Sequence, residues 1–109
     1  MSYTPISGKH FSELTQTGLD ANTTTLSNSL DVSDNKSIAY SISSNTGTHS
    51  THIITLQCSL DDSEWFDTNS SITGLGVENN IFIITQFVRL KVTTNEGDTS
   101  TVDIIIQGK

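Results

Sequence analysis

Thr51-His-Ile-Ile-Thr-Leu-Gln-Cys58, the run from Ile81 to Thr94, and Thr101 to Gln107 are three β-branched stretches whose reading decides the fold. Each alternates in polarity along the chain, the period-two signal of a strand with one dry and one wetter face. In the first, His52, Ile54, Leu56 and Cys58 share one side, and Thr51, Ile53, Thr55 and Gln57 the other. In the second, Val88, Leu90 and Val92 oppose Phe87, Arg89 and Lys91; in the third, Val102, Ile104 and Ile106 oppose Asp103, Ile105 and Gln107. The 81–94 run is longer than an ordinary strand, which predicts a bulge or break near Thr85–Gln86. Ser59-Leu-Asp-Asp-Ser-Glu-Trp65 reads as a hairpin turn that lands Trp65 at the end of the core, and Asn95-Glu-Gly-Asp98 as a final hairpin turn.

Working outward, Lys36–Ser43 alternates with Ile38, Tyr40 and Ile42 on one face, while Asn22–Leu30 reads as a polar edge strand followed by an Asp31–Asn35 turn. Ile72–Val77 is a glycine-punctuated connection, and Glu78–Asn80 turns into the long run. These runs amount to about seven strands joined by short turns. The expected fold is all-β: a single antiparallel β-sandwich, immunoglobulin-like or jelly-roll, over residues 22–109. Residues 1–21, which hold the only proline, form an N-terminal arm or lead-in segment. Either this segment is a strand along its own sandwich or it is an arm that places Tyr3, Ile6, Phe11 and Leu14 in a partner's groove.

Composition supports exposed sheet faces: among 109 residues there are 16 serines and 17 threonines, residues that favour pleated surfaces and turns over helices. The length suits one domain with one modest core. The net charge of −7 is spread without any basic stripe, which argues against nucleic-acid partners. The longest unbroken apolar run, Ile81–Ile84, is far too short to cross a bilayer as a helix, and Met1–Gly8 lacks the features of a secretory signal. Its three Asn-x-Ser/Thr sequons therefore carry no weight. The single cysteine, Cys58, faces inward as a small hydrophobe.

No motif for catalysis, cofactor or metal emerges. His49 and His52 would leave opposite faces of a strand. Asp61, Asp62, Glu64 and Asp67 surround a turn in a spacing that matches no calcium loop. No Gly-x-Ser-x-Gly nucleophile elbow or phosphate-cradling glycine loop is present. Trp65, Tyr40 and Phe66 are the candidates for a sugar-stacking face, with core packing as the competing use of the same rings.

The wording Ile54-Thr-Leu-Gln-x-Ser-x-Asp-Asp-Ser-x-Trp65, then Phe87-Val-Arg-Leu-Lys-Val92, then the close Glu96–Lys109, resembles small β-sandwich virion proteins of tailed bacteriophages, of the head-decoration, head-fibre and tail-associated type. The resemblance covers Thr51–Lys109. It implies a non-enzymatic capsid decoration or cement protein, made in the host cytoplasm and carried on the capsid surface of the virion. Its partners would be the major capsid protein or another virion protein and further copies of itself, as a homotrimer, with no cofactor, nucleic acid or membrane. A receptor- or glycan-binding module of a head fibre or tail is the alternative. Ile53 and Ile105, if they stay on the outer faces, are candidates for subunit contact.

Overall fold

A computed structural model of the chain describes residues 12–94 and 100–109. Among them are nine strands: β1 (Ser12–Asp20), β2 (Thr25–Leu26), β3 (Leu30–Asp31), β4 (Ser37–Thr46), β5 (Ile53–Ser59), β6 (Phe66–Thr73), β7 (Gly76–Phe82), β8 (Phe87–Thr94) and β9 (Thr101–Gly108). Seven of them are seven residues or longer. They form two antiparallel sheets, one ordered β1-β9-β4-β7 and the other β2-β8-β5-β6, with β3 also on β8.

Because β2 and β3 lie along the same neighbour, they are one interrupted strand, and the sandwich has four strands in each layer. The chain passes from one layer to the other at almost every connection. Among the described residues only β5 and β6 follow each other as a hairpin within a sheet. An immunoglobulin sandwich instead keeps its first two strands together in one sheet. Here the first and last strands are neighbours and the second lies in the opposite layer, which is jelly-roll wrapping.

The alternation read from sequence is what closes the core. Ile38, Tyr40, Ile42, Ile104 and Ile106 from one sheet meet Ile54, Leu56, Val88, Leu90 and Val92 from the other, all buried. The outward residues of the same strands, Ala39, Ser41, Arg89 and Lys91, stay partly exposed. Cys58 is partly buried and packs on the edge of this core.

Several sequence expectations are corrected by how strands choose partners. Asn22–Leu30 is not one strand: Ser27 interrupts it, donating its N–H to the Leu90 carbonyl and accepting the Leu90 N–H on Oγ. Glu78–Asn80 is not a turn but the middle of β7, where the pairing with β4 shifts register and Asn80 takes φ +58°. The long run does break, between Phe82 and Phe87. The reversal after β8 is not a hairpin, since β8 and β9 lie in different sheets; Asn95–Asp98 themselves fall outside the described residues. Within the 1–21 segment, Ser12–Asp20 is a strand of the sandwich, paired antiparallel with β9 from Ser12↔Gly108 to Asp20↔Thr101. Residues 1–11 lie outside the described residues.

One turn shows why the two ends of the β4–β5 connection are held. Gly47 has φ +83°, and a Cβ there would meet Ser100 Oγ at 2.6 Å and Ser100 Cα at 2.9 Å. Ser100 is fully buried, donates its hydroxyl to the Thr48 carbonyl and receives the Ala21 N–H on its own carbonyl. Only glycine combines that backbone angle with that approach.

Candidate functional site

Three surfaces carry more than solvated hydroxyls. The first is the outer face of the β1-β9-β4-β7 sheet. Register places Thr15, Ile105, Ser41 and Val77 side by side across the four strands. Val77 is 65% and Ile105 37% exposed. They border a shallow depression of about 160 Å³, lined also by Ala39 and Gln107. Ile105 therefore does stay on an outer face beside a second apolar side chain, whereas Ile53 on the opposite sheet is half-buried.

The second lies on the outer face of the other sheet, where β5, β6 and β8 run together. Gln57 is buried and acts as a bridge: its Nε2 donates to Asp67 Oδ1 at 2.9 Å, and its Oε1 accepts from Arg89 Nε at 2.8 Å. Lys91 Nζ stands 3.5 Å from the same Asp67 oxygen. The Gln57 bond, aided by the Lys91 charge, holds the Asp67 carboxyl below its ordinary range. Arg89 also lies over the Trp65 ring, 4.1 Å from its centroid, a cation–π contact. Trp65 thus presents its face to a guanidinium of its own chain, not to a sugar ring. Phe66 is 63% exposed, and Tyr40 is buried with its hydroxyl 2.8 Å from Ser70 Oγ. Of the three aromatics proposed as a stacking platform, Tyr40 is thus taken up by the core and the Trp65 ring by Arg89, which leaves Phe66 exposed.

The third is an open cleft between the edge strands β6 and β7, about 640 Å³, lined by Asp67–Ser71 on one wall and by Glu78, Ile81, Phe82 and Ile83 on the other.

The acidic turn is a self-contained piece of structure. Ser59 Oγ accepts the Asp61 and Asp62 N–H groups, and Asp61 Oδ1 accepts those of Ser63 and Glu64. These backbone bonds hold the Asp61 carboxyl below its usual range. Its Oδ1 is committed to the turn, as in an Asx cap.

The two histidines differ from expectation. His49 and His52 precede β5 and are not on a strand, so the opposite-face rule does not apply to them. Their rings meet edge to face at 5.2 Å, with His49 Nδ1 3.2 Å from His52 Nε2. Among the described residues no third histidine, cysteine or carboxylate joins them to hold a metal.

Of the residues proposed for partner binding, Leu14 sits on β1 opposite Ile106 and packs partly buried against its own core. Tyr3, Ile6 and Phe11 fall outside the described residues. Compared with known proteins, the chain matches no family model, no curated protein and no solved structure.

Proposed function

We propose that this chain is a non-enzymatic structural protein of a tailed-phage virion, a decoration or cement protein that holds neighbouring shell subunits together. The observation that carries the reading is the outer face of the β1-β9-β4-β7 sheet, where Val77 and Ile105 stand exposed around a depression in an otherwise hydroxyl-rich surface. An apolar row on the face of a sheet is a surface suited to burial against another subunit. The jelly-roll wrapping supports the reading as an analogy only, since capsid and lectin domains share it and a fold does not dictate a function. The phage-like wording of Thr51–Trp65 and Phe87–Lys109 supports it independently.

Such a protein works by mass action. It binds the assembled shell and not its separated subunits, and so stabilises the assembled state by an amount set by its concentration relative to its Kd. Repetition over a symmetric shell adds avidity to each weak contact.

The test is sedimentation of the purified full chain with undecorated heads of tailed phages through a density gradient. Saturable binding at a fixed ratio is expected, with heads that resist heating better once loaded, and V77D and I105D should abolish both effects. Free sedimentation of the protein at every ratio, together with specific retention on a glycan array, would replace the cement role by the receptor-binding one.

A further inference from the structure

The two ends of the sandwich differ in what they expose, and register fixes which connections share an end. Ser37 pairs with Phe82 in one sheet, and Ser59 pairs with Phe87 beside the Cys58↔Phe66 pair in the other. The Ile83 N–H donates to the Lys36 carbonyl and the Val32 N–H to the Gln86 carbonyl, so the 83–86 crossing is bonded to one layer at its start and to the other at its finish. The β3–β4, β5–β6 and β7–β8 connections therefore lie together at one end. Leu60, Phe66, Phe82 and Ile84 are all exposed there, Leu60 by 73% and Ile84 by 81%. At the other end, among the described residues, Leu75 is the one exposed large apolar side chain.

Packing does not account for these four. On the crossing, Ile83 is the residue that joins the core, and Ile84 stays in solvent. The turn that carries Leu60 is held by Ser59 Oγ and Asp61 Oδ1 through backbone N–H groups. Two phenylalanines, a leucine and an isoleucine at such exposure amount to on the order of 400 Å² of apolar surface, the size at which a monomer's largest patch is often functional.

Charge says what kind of surface would cover them. Asp31 and Asp34 stand exposed at this end, as do Asp61, Asp62 and Glu64 on the β5–β6 turn, against Lys36 and Lys109. Arg89 is engaged by Gln57 and the Trp65 ring, and Lys91 stands beside Asp67. A second copy would bring the same acidic end, and an anionic bilayer would be repelled in the same way. A partner that is apolar along its centre and basic at its margins is matched on both counts, and an amphipathic helix with lysines or arginines flanking its apolar strip has that arrangement. Its diameter of about 10–12 Å is close to the ~10 Å between two packed sheets, so one helix laid along this end meets side chains from both layers.

We propose that this end of the sandwich docks a basic amphipathic helix of another protein, with Leu60, Phe66, Phe82 and Ile84 against its apolar strip and the surrounding carboxylates, Asp62 and Glu64 among them, facing its cations. The surface is separate from the Val77–Ile105 face, and the inference does not depend on the virion reading.

Trp65, the only tryptophan, directly precedes Phe66 and reports on this end. The full-length protein is titrated with an amphipathic leucine–lysine peptide free of aromatic residues, with a serine–lysine peptide of equal charge, and with vesicles of phosphatidylcholine alone or mixed with phosphatidylglycerol. L60S/I84S and, at the opposite end, L75S are first checked for native circular dichroism. The expected result is a saturable change in Trp65 emission with the leucine–lysine peptide, about tenfold or more tighter than with the serine–lysine peptide, weakened about tenfold in L60S/I84S and unchanged in L75S. Equal affinity for the two peptides, or equal losses in L60S/I84S and L75S, overturns the proposal. Tighter binding to either vesicle replaces the helix by a lipid surface. No response to any probe also overturns it, as when the chain's own residues already cover the patch. The titration contains no phage heads, so this inference and the virion reading can fail separately.

Discussion

Ile104 and Ile105 are consecutive residues of β9 that point to opposite sides of their sheet, so replacing each by alanine removes the same three carbons from two different environments. Ile104 is fully buried between the layers. Its truncation loses the transfer energy of three carbons and leaves a cavity walled by both sheets, and a cost of about 4 kcal/mol is expected, within the range seen for buried Ile→Ala changes. Ile105 is 37% exposed and borders an open depression. Only about three-fifths of its three carbons is removed from water, which at ~0.8 kcal/mol per buried carbon gives about 1.5 kcal/mol. The space it leaves is open to solvent, so no cavity term is added. The two variants should therefore differ by roughly 2.5 kcal/mol in urea unfolding followed by far-UV circular dichroism. The protein must be dilute enough to be dissociated, because assembly would otherwise enter the apparent stability. At higher concentration the order of effects on self-association should reverse, with I105A dissociating the oligomer. Equal costs, or a larger cost for I105A at low concentration, would mean that β9 is shifted by one residue, since a one-residue slip exchanges the two faces.

Other outcomes follow from features described above. G47A places a Cβ against Ser100 at a positive φ and should destabilise by about 1–3 kcal/mol, read as a lower urea midpoint with unchanged m. Asp31, Asp61 and Asp67 have carboxyls depressed below their ordinary value of 3.8. Their contribution to stability is complete above that value and is lost as pH falls through the depressed folded-state values, so D61N, which cannot titrate, should flatten the acid limb of a stability-versus-pH curve. Burial raises the Tyr40 hydroxyl above its ordinary 10.0, its bond to Ser70 only partly opposing this. The folded state therefore loses stability as pH rises past about 10, where the unfolded chain ionises and the folded one resists, and Y40F should remove that part of the alkaline limb. Q57L strips Arg89 and Asp67 of their shared bridge and should free the Trp65 ring, seen as a change in its fluorescence with little loss of secondary structure.

Much of the sandwich was legible because alternation is a local property. Ile38, Tyr40 and Ile42, like Val88, Leu90 and Val92, identify their buried faces without reference to any partner. Partner choice was less legible. Gly97 and its acidic neighbours announce a reversal, but a reversal within a sheet and a crossing between sheets have the same turn chemistry, and β8 and β9 turn out to belong to different layers. β7 escaped notice because Gly76, Asn79 and Asn80 are poor strand formers, and its pairing with β4 overrides their preferences. The Gln57–Arg89–Trp65 cluster depends on the register of three strands, so only the pairing reveals it. The Ile105 surface was readable as an odd apolar residue on a wet face, yet its companion Val77 lay in a stretch read as a connection. The cleft is a product of where two sheets part, and no local pattern encodes that.

The adjacency of β1 and β9 has a consequence for how the chain is made. About eighty residues separate the end of β1 from the start of β9, and among the described residues Ser12–Asp20 has no other strand beside it in its sheet. At ribosomal rates of about 5–20 residues per second, that strand waits roughly 4–16 s for β9 to be synthesised. The β1–β9 pairing is therefore the latest that this sheet can make, and Ser12, Glu13, Thr15, Gln16 and Thr17 keep the waiting strand polar in the interval.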